Sequence, residues 1–428
     1  MAAPKHLGMA IGVLLVAFAP AKRAWSQVDL VSRETFTGLL DLRLSATTGE
    51  RSFVDGDFGK LRFDGGGSTV KIRPSLADAA IAWRPRLSWA WSATVHAEMQ
   101  DGVKPDLIQA YFTYKPTPKS ATRFQARMGL LYPEISLEHE GALWKTSYTI
   151  TPSAINSWVG EEVKPLAVEA TVRRPIGDHE FSATAAVFDY NDTSGTLLTF
   201  RGWALHDLKA PTRHEWALPP LDNFIKGPQS RESYPVRHID DRIGYYGRLE
   251  WAPPIGATFN LFYYNNLGDK TSKDWDKQWS WATEFWNGGV NWALNDKVRI
   301  LGQVMSGRTL MGFKGPKTIW IDMDFASAYV LATRKIGETD QLTGRLEFFR
   351  TRDNSPQSGG YAFANRIAAD RKEDGWAMTA AYKRTLTPNA ALFFEALHVS
   401  SERKARVLTL TPQGQAQTMF QTSLRLSF

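Results

Sequence analysis

The chain predicts an all-β fold, a closed antiparallel transmembrane β-barrel of about 16 strands within a range of 14–18, and three observations carry that expectation. In the last stretch Phe420, Leu424, Leu426 and Phe428 alternate with Gln421, Ser423, Arg425 and Ser427, and a period of two is a strand with one apolar and one wet face. Most alternating segments exceed the roughly 5–6 residues of a soluble strand and reach the roughly 9–11 that a tilted membrane strand needs. The joints between them alternate between tight turns and long polar loops, which puts all the turns at one end of a barrel.

Taken in order, the chain opens with Lys5, an apolar run from Leu7 to Phe18 and small-residue sites at Ala19-Pro20-Ala21 and Ala24-Trp25-Ser26. That layout predicts a signal peptide over residues 1–26, cut after 21 or 26, and the run is too short for the roughly 20 residues of a spanning helix. Residues 27–428 are then one domain. No later run approaches a membrane helix, so an exported chain of this kind crosses a bilayer only as strands. The 16 Trp, 13 Tyr and 23 Phe are what two interfacial girdles require. Cysteine is absent, which removes thiolate metal sites and cysteine nucleophiles. A net charge of +7, falling to +4 without Lys5, Lys22 and Arg23, is too mild for a nucleic-acid partner.

The expected strands run at about Phe36–Ser45, Ser68–Arg84, Arg86–Gln100, Asp106–Pro116, Ala121–Leu131, Val163–Arg174 and His179–Tyr190. They continue at Asp241–Ala252, Ala257–Asn266, Gln278–Ala293, Lys297–Thr309, Thr318–Arg334, Gln341–Arg352, Asp374–Arg384, Asn389–Arg403 and Gln415–Phe428. Tight turns rich in Pro, Gly, Asn and Asp follow each even-numbered strand, as at Pro175-Ile176-Gly177-Asp178 and Leu294-Asn295-Asp296. Long joints fall at Ala46–Gly67, Tyr132–Glu162, Asn191–Asp240, Asp353–Glu373 and Lys404–Gly414, and the third of these has room for one more hairpin. An even count lets the first strand pair with the last and abolishes the edges that lipid would not tolerate.

Ending a chain on an alternating strand with a terminal aromatic, Phe428, resembles the C-terminal assembly signal of bacterial outer-membrane barrels. At sixteen strands the layout resembles a Gram-negative porin over nearly the whole mature chain. The stretches Leu301–Thr309, Arg345–Asp353 and Asp374–Tyr382 are similar to strands of phosphate-selective-type and related porins. The resemblance implies passive diffusion of small hydrophilic solutes across the outer membrane, no enzymatic activity and no cofactor. It also implies contact with outer-membrane lipid and lipopolysaccharide, recognition by the barrel-assembly machinery and a homotrimer.

Porins of this size fold a third external loop into the lumen, and the matching joint here is 132–162. It carries Ile135, Leu137, Leu143, Trp144, Ile150, Ile155 and Trp158, too much apolar surface to stand in water. Folding inward brings Glu134, Glu138 and Glu140 to the constriction, facing Arg123, Gln125 and Arg127 of the preceding strand. Two readings follow: a transverse field across the pore, or charges that pair and hold the loop down.

Parity turns Asp41, Arg43, Lys71, Arg73, His96, Glu98, Glu169, Arg173, Arg248, Glu250, Arg299, Arg345, Glu347, Lys383 and Arg425 into the lumen. Nine of these are Arg or Lys and five Asp or Glu, which predicts a mild anion preference without the dense basic ladder of a phosphate channel. The selectivity candidates are Arg43, Arg123, Arg127, Glu134, Glu138, Glu140, Arg248, Arg345 and Arg425. Tyr246, Phe262 and Tyr264, with loop residues Trp203, Trp216 and Trp275, offer either an aromatic path for sugars or aromatic acids, or girdle and loop packing.

Other chemistry is thin. His398-Val399-Ser400 puts two side chains on one strand face, as in barrel lipid deacylases, but Glu395 falls on the other face and no orienting partner is evident. Asp322 and Asp324 share a face near the rim, far short of the six to eight oxygens that calcium takes, so no metal is expected.

Overall fold

The computed structural model describes residues 28–312, 320–355 and 370–428; the leader read at 1–26 lies outside them, as do Thr318 and part of the Asp353–Glu373 joint. Sixteen strands close in chain order. They are β1 (Phe36–Gly49), β2 (Gly67–Trp83), β3 (Trp91–Gln100), β4 (Val103–Tyr114), β5 (Arg123–Leu130), β6 (Leu166–Ile176), β7 (His179–Asp189) and β8 (Gly244–Ala252). The second half adds β9 (Ala257–Asn265), β10 (Ala282–Ala293), β11 (Val298–Met311), β12 (Ile321–Ile336), β13 (Asp340–Asp353), β14 (Glu373–Thr387), β15 (Ala390–Arg403) and β16 (Gly414–Ser427).

Alternation decides which way each side chain points, and the pattern is that of an inside-out protein. On β1 Leu40, Leu42 and Leu44 face outward while Asp41 and Arg43 are buried; on β16 Phe420 is 60 % exposed and Gln421 only 3 %. Apolar groups accept that exposure only where the surroundings are themselves apolar, as in lipid. Trp89, Trp251 and Trp292 stand exposed toward the turn end and Tyr245, Trp286 and Trp376 toward the loop end, two belts of amphipathic rings.

The seam is made by β1 and β16, antiparallel from Leu39 opposite Ser427 to Thr47 opposite Met419. Phe428 continues it: its carbonyl accepts the Gly38 amide at 3.1 Å and its amide donates to the Gly38 carbonyl at 3.2 Å. The terminal ring lies over Gly38, where an added Cβ would stand 2.0 Å from the ring carbon Cζ.

Strand ends shift by up to five residues from the alternation, and two of the shifts have clear local reasons. The third strand begins at Trp91, because Arg86 bridges to Asp29 and Leu87 to Trp91 in a turn. The sixth begins at Leu166, because Val163 ends a helix and Pro165 has no amide to give. The joint after β3 is only Asp101-Gly102, so β2 pairs with β3 only from Asp78 to Trp83 and its upper half pairs with β1 alone.

The joint Asn191–Asp240 adds no barrel strand. It contains a short helix (Thr196–Phe200) and a hairpin of Trp216–Ala217 with Glu232–Ser233. Most of its first twenty residues are buried. Helix α1 (Ala154–Glu162), capped by the Ser153 hydroxyl, is buried throughout. Trp158 of α1 packs edge-on against Phe285 of β10 at 5.2 Å and Trp203 at 6.2 Å.

Candidate functional site

Backbone amides and carbonyls that leave water must find partners inside the protein, and the lumen wall supplies them to the entering 132–162 loop. Glu395 of β15 accepts the Ile150 amide at 2.6 Å and the Thr151 amide at 3.1 Å, and Glu347 of β13 accepts the Ala154 amide at 2.7 Å. Arg345 donates to the carbonyls of Thr151 at 2.8 Å and Pro152 at 3.0 Å. Its Nη1 also meets Glu138 Oε1 at 2.9 Å and its Nε meets Glu347 Oε1 at 2.9 Å. The other Glu138 oxygen accepts from the Ser153 amide, the Ser153 hydroxyl and Asn156 Nδ2. Glu138, Arg345 and Glu347 are all out of contact with water.

A second group gathers on β1–β3. Arg43 pairs with Asp41 at 2.7 Å and with Asp207, which also takes Arg62 at 2.8 Å. Lys209 meets Glu98 at 2.8 Å, and Glu98 meets His96 at 3.0 Å. Asp207 and Lys209 belong to the Asn191–Asp240 joint, so a second loop also enters the lumen and docks on the wall. Lys145 of the first loop pairs with Asp78. The two loops lock together where Arg201 pairs with Glu161, and where Glu162 accepts the Leu197 amide at 2.8 Å and Trp158 Nε1 at 2.6 Å. Burial without a cation pushes the Glu162 carboxyl up to about 7.

The third group has a buried centre, Arg127, Glu169 and Tyr246, and a wet edge. Arg127 makes a two-pronged pair with Glu169 at 2.8 and 2.9 Å, and Tyr246 donates to the same carboxylate. Glu134 lies 3.6 Å from Arg127 and 3.8 Å from Arg248, which binds Glu250 at 2.5 Å, yet Glu134 is 55 % exposed. Arg123 is exposed opposite Arg173 at the turn end, and Arg173 reaches Glu180 at 3.4 Å. Glu140 is exposed and accepts from Ser147 and Tyr148; Arg299 donates to Asn291 at 3.0 Å. Lys71 and Arg73 stand apart from the constriction, on the upper part of β2, paired with Asp64 and Asp101.

Of the aromatics, Tyr246, Phe262 and Tyr264 are buried with Phe188 and Phe285 beneath Trp158, Trp203 and Trp216 are buried in the loops, and Trp275 is 86 % exposed. The structure thus packs this cluster as loop support. His398 and Ser400 lie on the outer face; His398 Nδ1 meets Thr418 Oγ1 at 2.8 Å, and Glu395 points inward to the loop. Asp322 and Asp324, also outward, take Arg308 at 2.5 and 3.9 Å, so an arginine holds the place of a cation.

Sequence reasoning missed Asp78 on the wall, Arg62 on the first joint, and Glu161, Glu162, Arg201, Asp207 and Lys209 on the loops. For the second loop the signal was present in Leu197, Leu198, Phe200, Trp203, Leu205 and Leu208, as apolar as the loop that was expected to fold inward.

No family model and no curated protein matches the chain. Among solved structures it is similar to the outer membrane channel DcaP of Acinetobacter baumannii, at 10 % identity and a TM-score of 0.54 over 93 % of this chain and 99 % of that one. It is also similar to a loop L8 deletion mutant of OmpT, an outer membrane protein of Vibrio cholerae, at 9 % identity and a TM-score of 0.53 over 92 % and 99 %. This is the fold of outer-membrane porins and channels. With its apolar outer face and aromatic belts, the barrel belongs in a bacterial outer membrane.

Proposed function

We propose that this barrel is a channel that passes small hydrophilic solutes and ions through a lumen narrowed by two inward-folded loops, with a mild anion preference and no catalytic role. The supporting observation is a division along the lumen. Glu138–Arg345 and Lys209–Glu98 are dry contacts that hold the loops, whereas Glu134 and Glu140 on the first loop, and Arg123 and Arg173 at the turn end, keep contact with water. Ions respond to the wet groups, and geometry and field do the selecting. Dry ion pairs across so much of the interior favour a substrate-selective channel over a wide general pore. A homotrimer, contact with lipopolysaccharide and recognition of Phe428 by the assembly machinery are parts of the same proposal, and the mass of the detergent-solubilised particle tests the first.

The test is single-channel recording of the refolded protein in planar bilayers under a salt gradient. Small, stable steps with a reversal potential on the anion side, reduced in Arg123→Ala/Arg127→Ala, support the reading. A folded barrel that passes no current overturns it.

A further inference from the structure

Two lumen cations share one aromatic ring and are short of hydrogen-bond partners. Lys383 of β14 and Arg425 of β16 both lie against the ring of Phe393 on the intervening β15, with Nζ 5.4 Å and the guanidinium carbon 4.5 Å from its centroid. Arg425 is 7 % exposed; its Nε reaches Asp41 at 3.2 Å and its Nη1 the Thr146 carbonyl at 2.7 Å, while Nη2 is buried with no partner. Lys383 is half-buried and makes no ion pair among the described residues.

The neighbouring carboxylates are already committed. Asp41 is shared by Arg43, Arg425 and the Ser423 hydroxyl, and Glu140 holds Ser147 Oγ at 2.8 Å and the Tyr148 hydroxyl at 3.4 Å. An unpartnered buried guanidinium N–H costs free energy until an acceptor arrives. A second cation beside it, on an apolar ring, makes the preferred acceptor an anion, and a fork nitrogen next to an ammonium matches an oxyanion. Lys383 and Arg425 lie toward the turn ends of their strands, and Lys383 keeps part of its surface in water.

We propose that Lys383 and Arg425, over Phe393, form a binding site for the oxyanion of a small solute, a carboxylate or phosphate group. The inference rests on the channel reading and deepens it by naming the solute class. The site binds the anionic group and leaves the rest of the solute in the vestibule.

Titration calorimetry of the full-length barrel in detergent, with inorganic phosphate and separately with benzoate, tests it without any need for conduction. Lys383→Gln is expected to weaken binding of the preferred anion about tenfold, the loss of one charged hydrogen bond, and Lys383→Arg to restore most of it. Tighter binding of benzoate assigns a carboxylate solute, and tighter binding of phosphate a phosphorylated one. No binding of either anion by the folded wild type, or equal binding by Lys383→Gln, overturns the site. A barrel that binds but passes no current keeps the site and removes the channel.

Discussion

Glu138, on the loop that enters the lumen, meets Arg345 of β13 at 2.9 Å with both side chains dry, so this charge pair anchors a loop instead of facing solute. Arg345 also neutralises Glu347 and satisfies two loop carbonyls. Removing it leaves two buried carboxylates unpaired, a loss of about 3–5 kcal/mol. Arg345→Met is therefore expected to lower the unfolding midpoint in denaturant and raise single-channel conductance as the loop loosens. Adding Glu138→Gln restores part of the stability. Unchanged conductance and midpoint would contradict the anchoring role.

Glu162 predicts a pH dependence. Burial raises its carboxyl to about 7 from an ordinary 4.5, so the folded loops bind more protons than the unfolded chain between those values. The stabilisation is complete below about 4.5 and is lost as pH rises through about 7. Hydrogen exchange at the α1 amides is expected to accelerate over that window in the wild type and to vary less in Glu162→Gln. The difference between the two proteins isolates this group from its titrating neighbours.

Gly38 and Phe428 predict a defect in closure. A side chain at Gly38 must displace the terminal ring, because its Cβ would stand 2.0 Å from Cζ. Gly38→Val is expected to cost about 1–3 kcal/mol by overpacking and to lower the yield of heat-modifiable, closed barrel on gels. Combining it with Phe428→Ala returns the yield in vitro; if the double variant is as poor as the single one, the ring is not the obstacle.

The outer-face pair His398 and Ser400 predicts an unchanged phenotype. His398 is engaged by Thr418, and Glu395 of the same strand faces the lumen. Lipid turnover by Ser400→Ala is expected to equal that of the wild type in mixed micelles. A loss of turnover would restore the deacylase reading.

Much of this architecture was legible in the residue order. A strand in lipid must show its parity plainly, so Leu40, Leu42 and Leu44 against Asp41 and Arg43, or Phe420 against Gln421, declare both the strand and its orientation. Closure followed from the same constraint, since an open edge has no partner in hydrocarbon. The short turns set the register of each hairpin, and all sixteen expected strands are present with their ends shifted by up to five residues.

What the sequence could not declare is which inward charge meets which. Arg127, Glu169 and Glu134 come from three elements, and Arg43, Asp207 and Arg62 from three more, brought together only when the ring closes. Parity tells a side chain to face inward but leaves its partner to the loops, whose paths have no period to read. By itself the sequence determined a lipid-facing barrel with charges inside; the tertiary structure alone decided that most of those charges are dry and hold two loops in the lumen, while Lys383 and Arg425 are left without a full complement of partners.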